Sequence, residues 1–196
     1  GQAYYRNVDL ETLEGQEVWS LDDDDTSYAE FKRCILFVDE EYFVMRDNIV
    51  SQSENTYAWR FHANAGGDTE GIMLEQDYGA IISSSEDNAT NLLVYVTTPH
   101  DNPILSFPIS FHSDEILGPS FYKEHKVIQA EQSGSETEFL TILYPYQDGE
   151  VYVESIENSD NYIGIIVDRL SDRYDIILSQ NDNMLIDIDG FTNING

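Results

Sequence analysis

Apolar residues along this chain come in short runs of strand length separated by turn-forming residues, with no sustained helical periodicity. The pattern predicts strands over Glu17–Ser20, Cys34–Val38, Tyr42–Met45, Tyr57–His62, Gly71–Leu74, Ala80–Ser83, Leu92–Thr97, Ile104–Phe107 and Tyr122–Ala130. It continues through Phe139–Tyr144, Val151–Ile156, Tyr162–Val167, Tyr174–Leu178 and Met184–Ile188. Two kinds of run are present. Glu150 to Glu154 alternates, with Val151 and Val153 on one face and Tyr152 with the glutamates on the other, as for a sheet with one wet side. Phe139–Tyr144 and Leu92–Val96 are apolar on both faces, which predicts a layer covered twice.

Connections are short, so antiparallel pairing is expected. One hairpin joins Cys34–Val38 to Tyr42–Met45 across Asp39-Glu40-Glu41, and another joins Tyr162–Val167 to Tyr174–Leu178 across Leu170 to Arg173. Asp22 to Asp25, Ala65-Gly66-Gly67-Asp68 and His100-Asp101-Asn102-Pro103 read as loops, and residues 110–120 as a longer connection. The fold class expected is all-β, a large antiparallel stacked sandwich of supersandwich type. It forms one domain over residues 1–196, with a softer boundary near 145–150, where Pro145 and Asp148-Gly149 interrupt two strands. A chain that starts Gly-Gln-Ala without Met is expected to be a piece of a larger protein.

Composition narrows the function. The chain of 196 residues carries 38 acidic against 9 basic residues, a formal net charge of -29, and no stretch concentrates enough Lys or Arg to follow a phosphate backbone. Nucleic acid is therefore excluded as an expected partner. Self-repulsion among the carboxylates is relieved by salt or bound cations, which suits a saline habitat. No apolar run approaches the roughly 20 residues of a membrane-spanning helix, so no membrane partner is expected. The single cysteine, Cys34, opens the apolar run CILFV and is expected in the core.

The segment Arg33 to His62 combines an arginine before an apolar strand, an aromatic-rich return strand reaching Asp47, and Tyr57-Ala58-Trp59-Arg60-Phe61-His62. With Trp19 before it and Phe139 to Pro145 after it, this order resembles the C-terminal β-sandwich of heparinase II/III-like polysaccharide lyases over residues 17–145. The resemblance implies an upstream α/α toroid domain as partner, a polysaccharide cleft between the domains, and a secreted or periplasmic bacterial setting. It also implies a metal, usually zinc, held by the second histidine of a His-x-His-x-Arg stretch, by an Asp and by a later histidine. Asp47 and His62 map onto the last two. Phe31 and Ala29 stand where the metal histidine and the substrate-facing histidine belong, so zinc at Asp47 and His62 is kept only as the lesser alternative to no cofactor, and Asp47 and His62 are expected to be relics or partial ligands. The bland reading pairs Asp47 with Arg46 or Arg33 and makes His62 a hydrogen-bonded residue closing a strand.

β-Elimination on a uronate needs a group facing the carboxylate, a base for the C5 proton and an acid for the leaving oxygen. Tyr57, Arg60, His62 and Tyr95 are of suitable type, yet an isolated sandwich holds half of such a site. Tyr57, Trp59 and Arg60 are the carbohydrate-binding candidates, with Tyr4-Tyr5 as further aromatics that could stack on a sugar, against the alternative that alternating aromatics build core. The chain lacks a Gly-x-Ser-x-Gly elbow, a P-loop and a dinucleotide fingerprint, while His100, His112 and His125 follow no ligand spacing. Asp187-x-Asp189-Gly190 is an incomplete calcium-loop pattern. The leading expectation is a non-catalytic sandwich module supporting a lyase cleft. A free-standing carbohydrate-binding or adhesion sandwich and an active elimination fragment are the alternatives.

Overall fold

The computed structural model describes residues 29–84, 90–98, 103–112, 123–147, 151–155, 162–169, 173–180, 186–188 and 191–194. Its strands in chain order are β1 (Ala29–Val38), β2 (Tyr42–His62), β3 (Ile72–Gln76), β4 (Gly79–Ser83), β5 (Asn91–Thr97), β6 (Ile104–Ser106) and β7 (Ile109–His112). Then come β8 (Lys123–Tyr146), β9 (Tyr152–Ser155), β10 (Tyr162–Arg169), β11 (Arg173–Gln180), β12 (Ile186–Ile188) and β13 (Phe191–Ile194). No helix occurs among the described residues, and every pairing is antiparallel.

An eight-stranded sheet runs β1-β2-β8-β5-β4-β3, with β6 and β7 also on β8; β11-β10-β9 forms a second sheet and β12-β13 a third. The β2–β8 ladder is its spine, and its register shifts between Val50, opposite Glu136, and Asn55, opposite Gly134. Several residues of β2 thus face Ser135 alone. Ser51 Oγ donates to Ser53 O at 2.6 Å and Asn55 Nδ2 to the same oxygen at 3.0 Å, which closes the bulge. A bulge bends the strand that carries it. Here it folds the sheet on itself: Ile49, Phe139, Val94 and Val96 from before the bend share a buried cluster with Tyr57, Trp59, Ile128 and Ala130 from beyond it. Lys126, beyond the bend, likewise reaches Glu75 on β3.

The second sheet covers the opposite face of the first half, where Val153, Ile165 and Val167 pack on Tyr42, Val44, Leu93, Tyr95, Leu140 and Ile142. The middle layer is therefore covered on both sides, which is why Phe139–Tyr144 and Leu92–Val96 are apolar at successive positions. On the outer sheet Val153 is buried and Tyr152 exposed, the predicted alternation.

Several boundaries differ from the sequence reading. Tyr42–Met45 and Tyr57–His62 belong to one strand, as do residues 123–130 and Phe139–Tyr144, because polar residues such as Gln132 and Ser133 keep their ladder partners through the bend. Residues 110–112, placed in a longer connection, belong to strand β7 on β8, and Phe191–Ile194 forms a strand that the apolar pattern did not mark. Cys34 is exposed rather than in the core. It lies on β1, the outer strand of its sheet, where Ile35 and Leu36 are 61% and 59% exposed. Glu17–Ser20, Tyr4-Tyr5, the Asp22 to Asp25 loop, most of the His100 turn and the Asp189-Gly190 end of the calcium-like pattern lie outside the described residues.

Candidate functional site

The β1–β2 hairpin turns through Asp39 and Glu40, both at positive φ, and sets Val38 opposite Tyr42. Counting back along that register puts Arg33 directly opposite Asp47. Strand alternation then fixes the side: Asp47 is two residues from Ile49 and so faces the cluster between the folded halves. Arg33 Nε donates to Oδ1 and Nη2 to Oδ2, each at 2.6 Å, a bidentate pair in which both carboxylate oxygens are engaged. Asp47 is 2% exposed. The Arg33 guanidinium also sits 5.4 Å from the centroid of the Phe31 ring.

Of the two arginines that the sequence offers as partners, Arg33 across the ladder takes Asp47. Arg46 points to the opposite face and makes its own bidentate pair with Glu138 at 2.7 Å and 2.7 Å. The hydrogen bonding that Arg46 donates to Glu138, aided by the carboxylate's charge and opposed by burial, holds the Arg46 guanidinium above its ordinary pKa.

His62 stands at the far end of β2, opposite Val127, whereas Asp47 is opposite Phe139. It follows Phe61, which packs on the inner cluster, so His62 faces away from the side that Asp47 faces. Its Nδ1 lies 3.0 Å from Nε2 of His125, with ring centroids 5.3 Å apart and planes tilted by 50°. Sequence reading passed over His125 as one of several scattered histidines. Only the β2–β8 register brings it to His62, and nothing in local spacing signals the contact.

The carbohydrate candidates separate in the same way. Tyr57 and Trp59 are 1% and 5% exposed and belong to the inner cluster, with Trp59 stacked on Phe61 at 6.2 Å between centroids. Arg60, between them in the alternation, is exposed and its Nε donates to Gln129 Oε1 at 2.7 Å. Tyr95 is buried in the other cluster and stacks on Tyr78 at 5.2 Å. Burial raises the Tyr78 pKa above its ordinary value, with smaller contributions from Tyr146, Asp77 and Tyr95.

The donor set does not fit the zinc that the family resemblance implies. Asp47 has its oxygens on Arg33, Phe31 and Ala29 carry no ligand atom, and His62 faces the other side. Among the described residues no three His, Cys, Asp or Glu side chains gather as metal ligands.

The fold is like that of part of heparinase III. A crystal structure of heparinase III matches with a TM-score of 0.58 at 15% identity, covering 78% of this chain and 24% of that one. The heparan sulfate lyase HepC of Pedobacter heparinus matches with a TM-score of 0.57 at 14% identity, over 78% and 24% of the two chains. The heparinase III BT4657 gene product matches with a TM-score of 0.56 at 11% identity, over the same shares. The chain thus spans about a quarter of these proteins' length. No protein-family model matches the sequence, and no curated protein does.

Proposed function

We propose that this chain is a non-catalytic β-sandwich module of a heparinase II/III-like polysaccharide lyase, supporting a glycan cleft formed with an upstream α/α toroid domain. The observation that carries the reading is the likeness to heparinase III over 78% of the chain. Three features favour a supporting role. Ala29 and Phe31 offer no proton donor or acceptor where the family's histidines stand, and Asp47 is neutralised by Arg33. Tyr57 and Trp59, as core residues, stabilise the bend and do not present ring faces for a sugar to stack on. The outer strand β1 exposes Phe31, Ile35, Leu36 and Phe37, apolar area of the kind that a neighbouring domain covers. Export from a bacterial cell belongs to the same reading, since polysaccharide substrates lie outside it.

The test compares this chain with a longer protein that includes whatever sequence the gene encodes upstream. Both are incubated with heparan-type polymer and with alginate, and absorbance of unsaturated uronate is followed. The expected result is no signal from this chain alone and elimination by the longer protein. Elimination by this chain alone, or an upstream sequence without a helical domain, overturns the proposal.

A further inference from the structure

β1 is the outer strand of the eight-stranded sheet, and no second strand pairs with it among the described residues. Its outer edge is long and unguarded. Natural edge strands are kept from pairing by shortness, by a bulge, by proline or by charge. β3, at the other end of the same sheet, is five residues long and carries Glu75. β1 is ten residues long, pairs with β2 in unbroken register, contains no proline and has no charged residue from Cys34 to Val38. Its apolar side chains are exposed on both faces. Ile35 and Phe37 lie opposite Met45 and Phe43, on the side of the cluster between the folded halves, whereas Leu36 lies opposite Val44, on the side that the second sheet covers. A domain resting on one face would cover one set and leave the other in water. A strand added along the edge flanks both.

We propose that β1 pairs antiparallel with β1 of a second copy of this chain, joining the two eight-stranded sheets across a two-fold axis. The sequence of the strand selects the register. Backbone groups point outward at every second residue, so a two-fold ladder sets one residue opposite its own copy. Only Arg33 or Cys34 at that centre lets nearly the whole strand pair. Centring on Arg33 puts two guanidinium groups directly opposite each other, which is destabilising. Centring on Cys34 pairs residues 30–38 of the two copies: Phe31 with Phe37, Arg33 with Ile35, Lys32 with Leu36 and Glu30 with Val38. No like charges then meet, aromatic pairs form on one face, and the Lys32 stem lies along Leu36 on the other. The strand carries one acidic residue, Glu30, against the basic Lys32 and Arg33, so the seam lacks the acidic excess of a chain with net charge -29. This pairing does not rest on the lyase-module reading, because it follows from the edge of β1 alone.

The experiment follows the purified chain by sedimentation velocity over about a hundredfold range of concentration in about 0.15 M salt, which screens repulsion between the copies. It is joined to cross-linking with diamide, which oxidises two facing thiols to a disulfide and itself takes up the two hydrogens. Residues directly opposite in an antiparallel ladder have Cα atoms about 4.5–5.5 Å apart, within the reach of a disulfide. A dimer is expected at the higher concentrations, with Cys34 joined to Cys34 of its copy. Leu36→Lys, which sets a lysine opposite Lys32, is expected to dimerise about fivefold more weakly than Leu36→Glu, since each altered pair occurs twice. Both substitutions are at an exposed position, so circular dichroism should stay that of the wild type. A monomer at every concentration, a dimer that diamide does not join through Cys34, or equal dimerisation of the two Leu36 variants each overturns the proposal.

Discussion

Replacing Arg33 by Met tests whether the Arg33–Asp47 pair is a structural clamp. Met retains much of the aliphatic stem but leaves the Asp47 carboxylate between the sheet halves without its bidentate partner. Removing one member of a buried pair costs about 3–5 kcal/mol, and an exposed pair is worth about 1 kcal/mol or less. This pair lies between those limits, because the Asp47 side chain is 3% exposed and that of Arg33 43%, so water reaches the guanidinium side. The expected loss is about 2 kcal/mol, which at an m-value of about 2 kcal/mol/M lowers the urea midpoint by about 1 M. Unfolding is followed by tryptophan fluorescence, to which buried Trp59 contributes. Arg33→Met with Asp47→Leu should recover most of the loss, since an apolar replacement of a whole buried pair is often neutral. A single-variant shift below about 0.5 kcal/mol, or a double variant whose loss equals the sum of the two single losses, refutes the clamp.

Thr141 is buried in the middle layer with no partner for its hydroxyl among the described residues, so Thr141→Val is expected to raise stability by about 1 kcal/mol in the same denaturation assay. Gly79 adopts φ +148°, and a Cβ there would lie 2.1 Å from the Val94 carbonyl oxygen. Gly79→Ala should therefore cost more than about 2 kcal/mol, by strain and by loosening β4 from β5, and a thermal midpoint equal to wild type contradicts this. The folded state favours the neutral Tyr78 phenol, whose pKa is raised by burial first of all. Its contribution is whole below the unfolded value of 10.0 and fades as pH rises through the higher folded value. Stability measured from pH 9 to 12 should fall less steeply in Tyr78→Phe, and identical slopes count against the assignment.

Alternation and turn chemistry sufficed for much of the architecture. The Asp39-Glu40-Glu41 hairpin, the one-sided burial at Val153 and the doubly covered Phe139–Tyr144 and Leu92–Val96 runs are all visible in sequence, because each depends on neighbours a few residues away. The chain length of β2 and β8 was not visible. Polar residues interrupt the apolar pattern at the bend, and only pairing across the ladder shows that the strands continue. Cys34 and its neighbours were misread because apolar content says that a strand seeks cover, not whether cover is present at an outer strand.

The sequence by itself determined the strand-rich class, the acidic surface and the lack of imidazoles at Ala29 and Phe31, since those are properties of residues and their near neighbours. Tertiary structure alone decided which arginine meets Asp47, that His62 meets His125, and that Tyr57 and Trp59 lie inside. These depend on register between strands distant in the chain and on the bulge that folds the sheet. A shift of one residue in either would send each of those side chains to the opposite face.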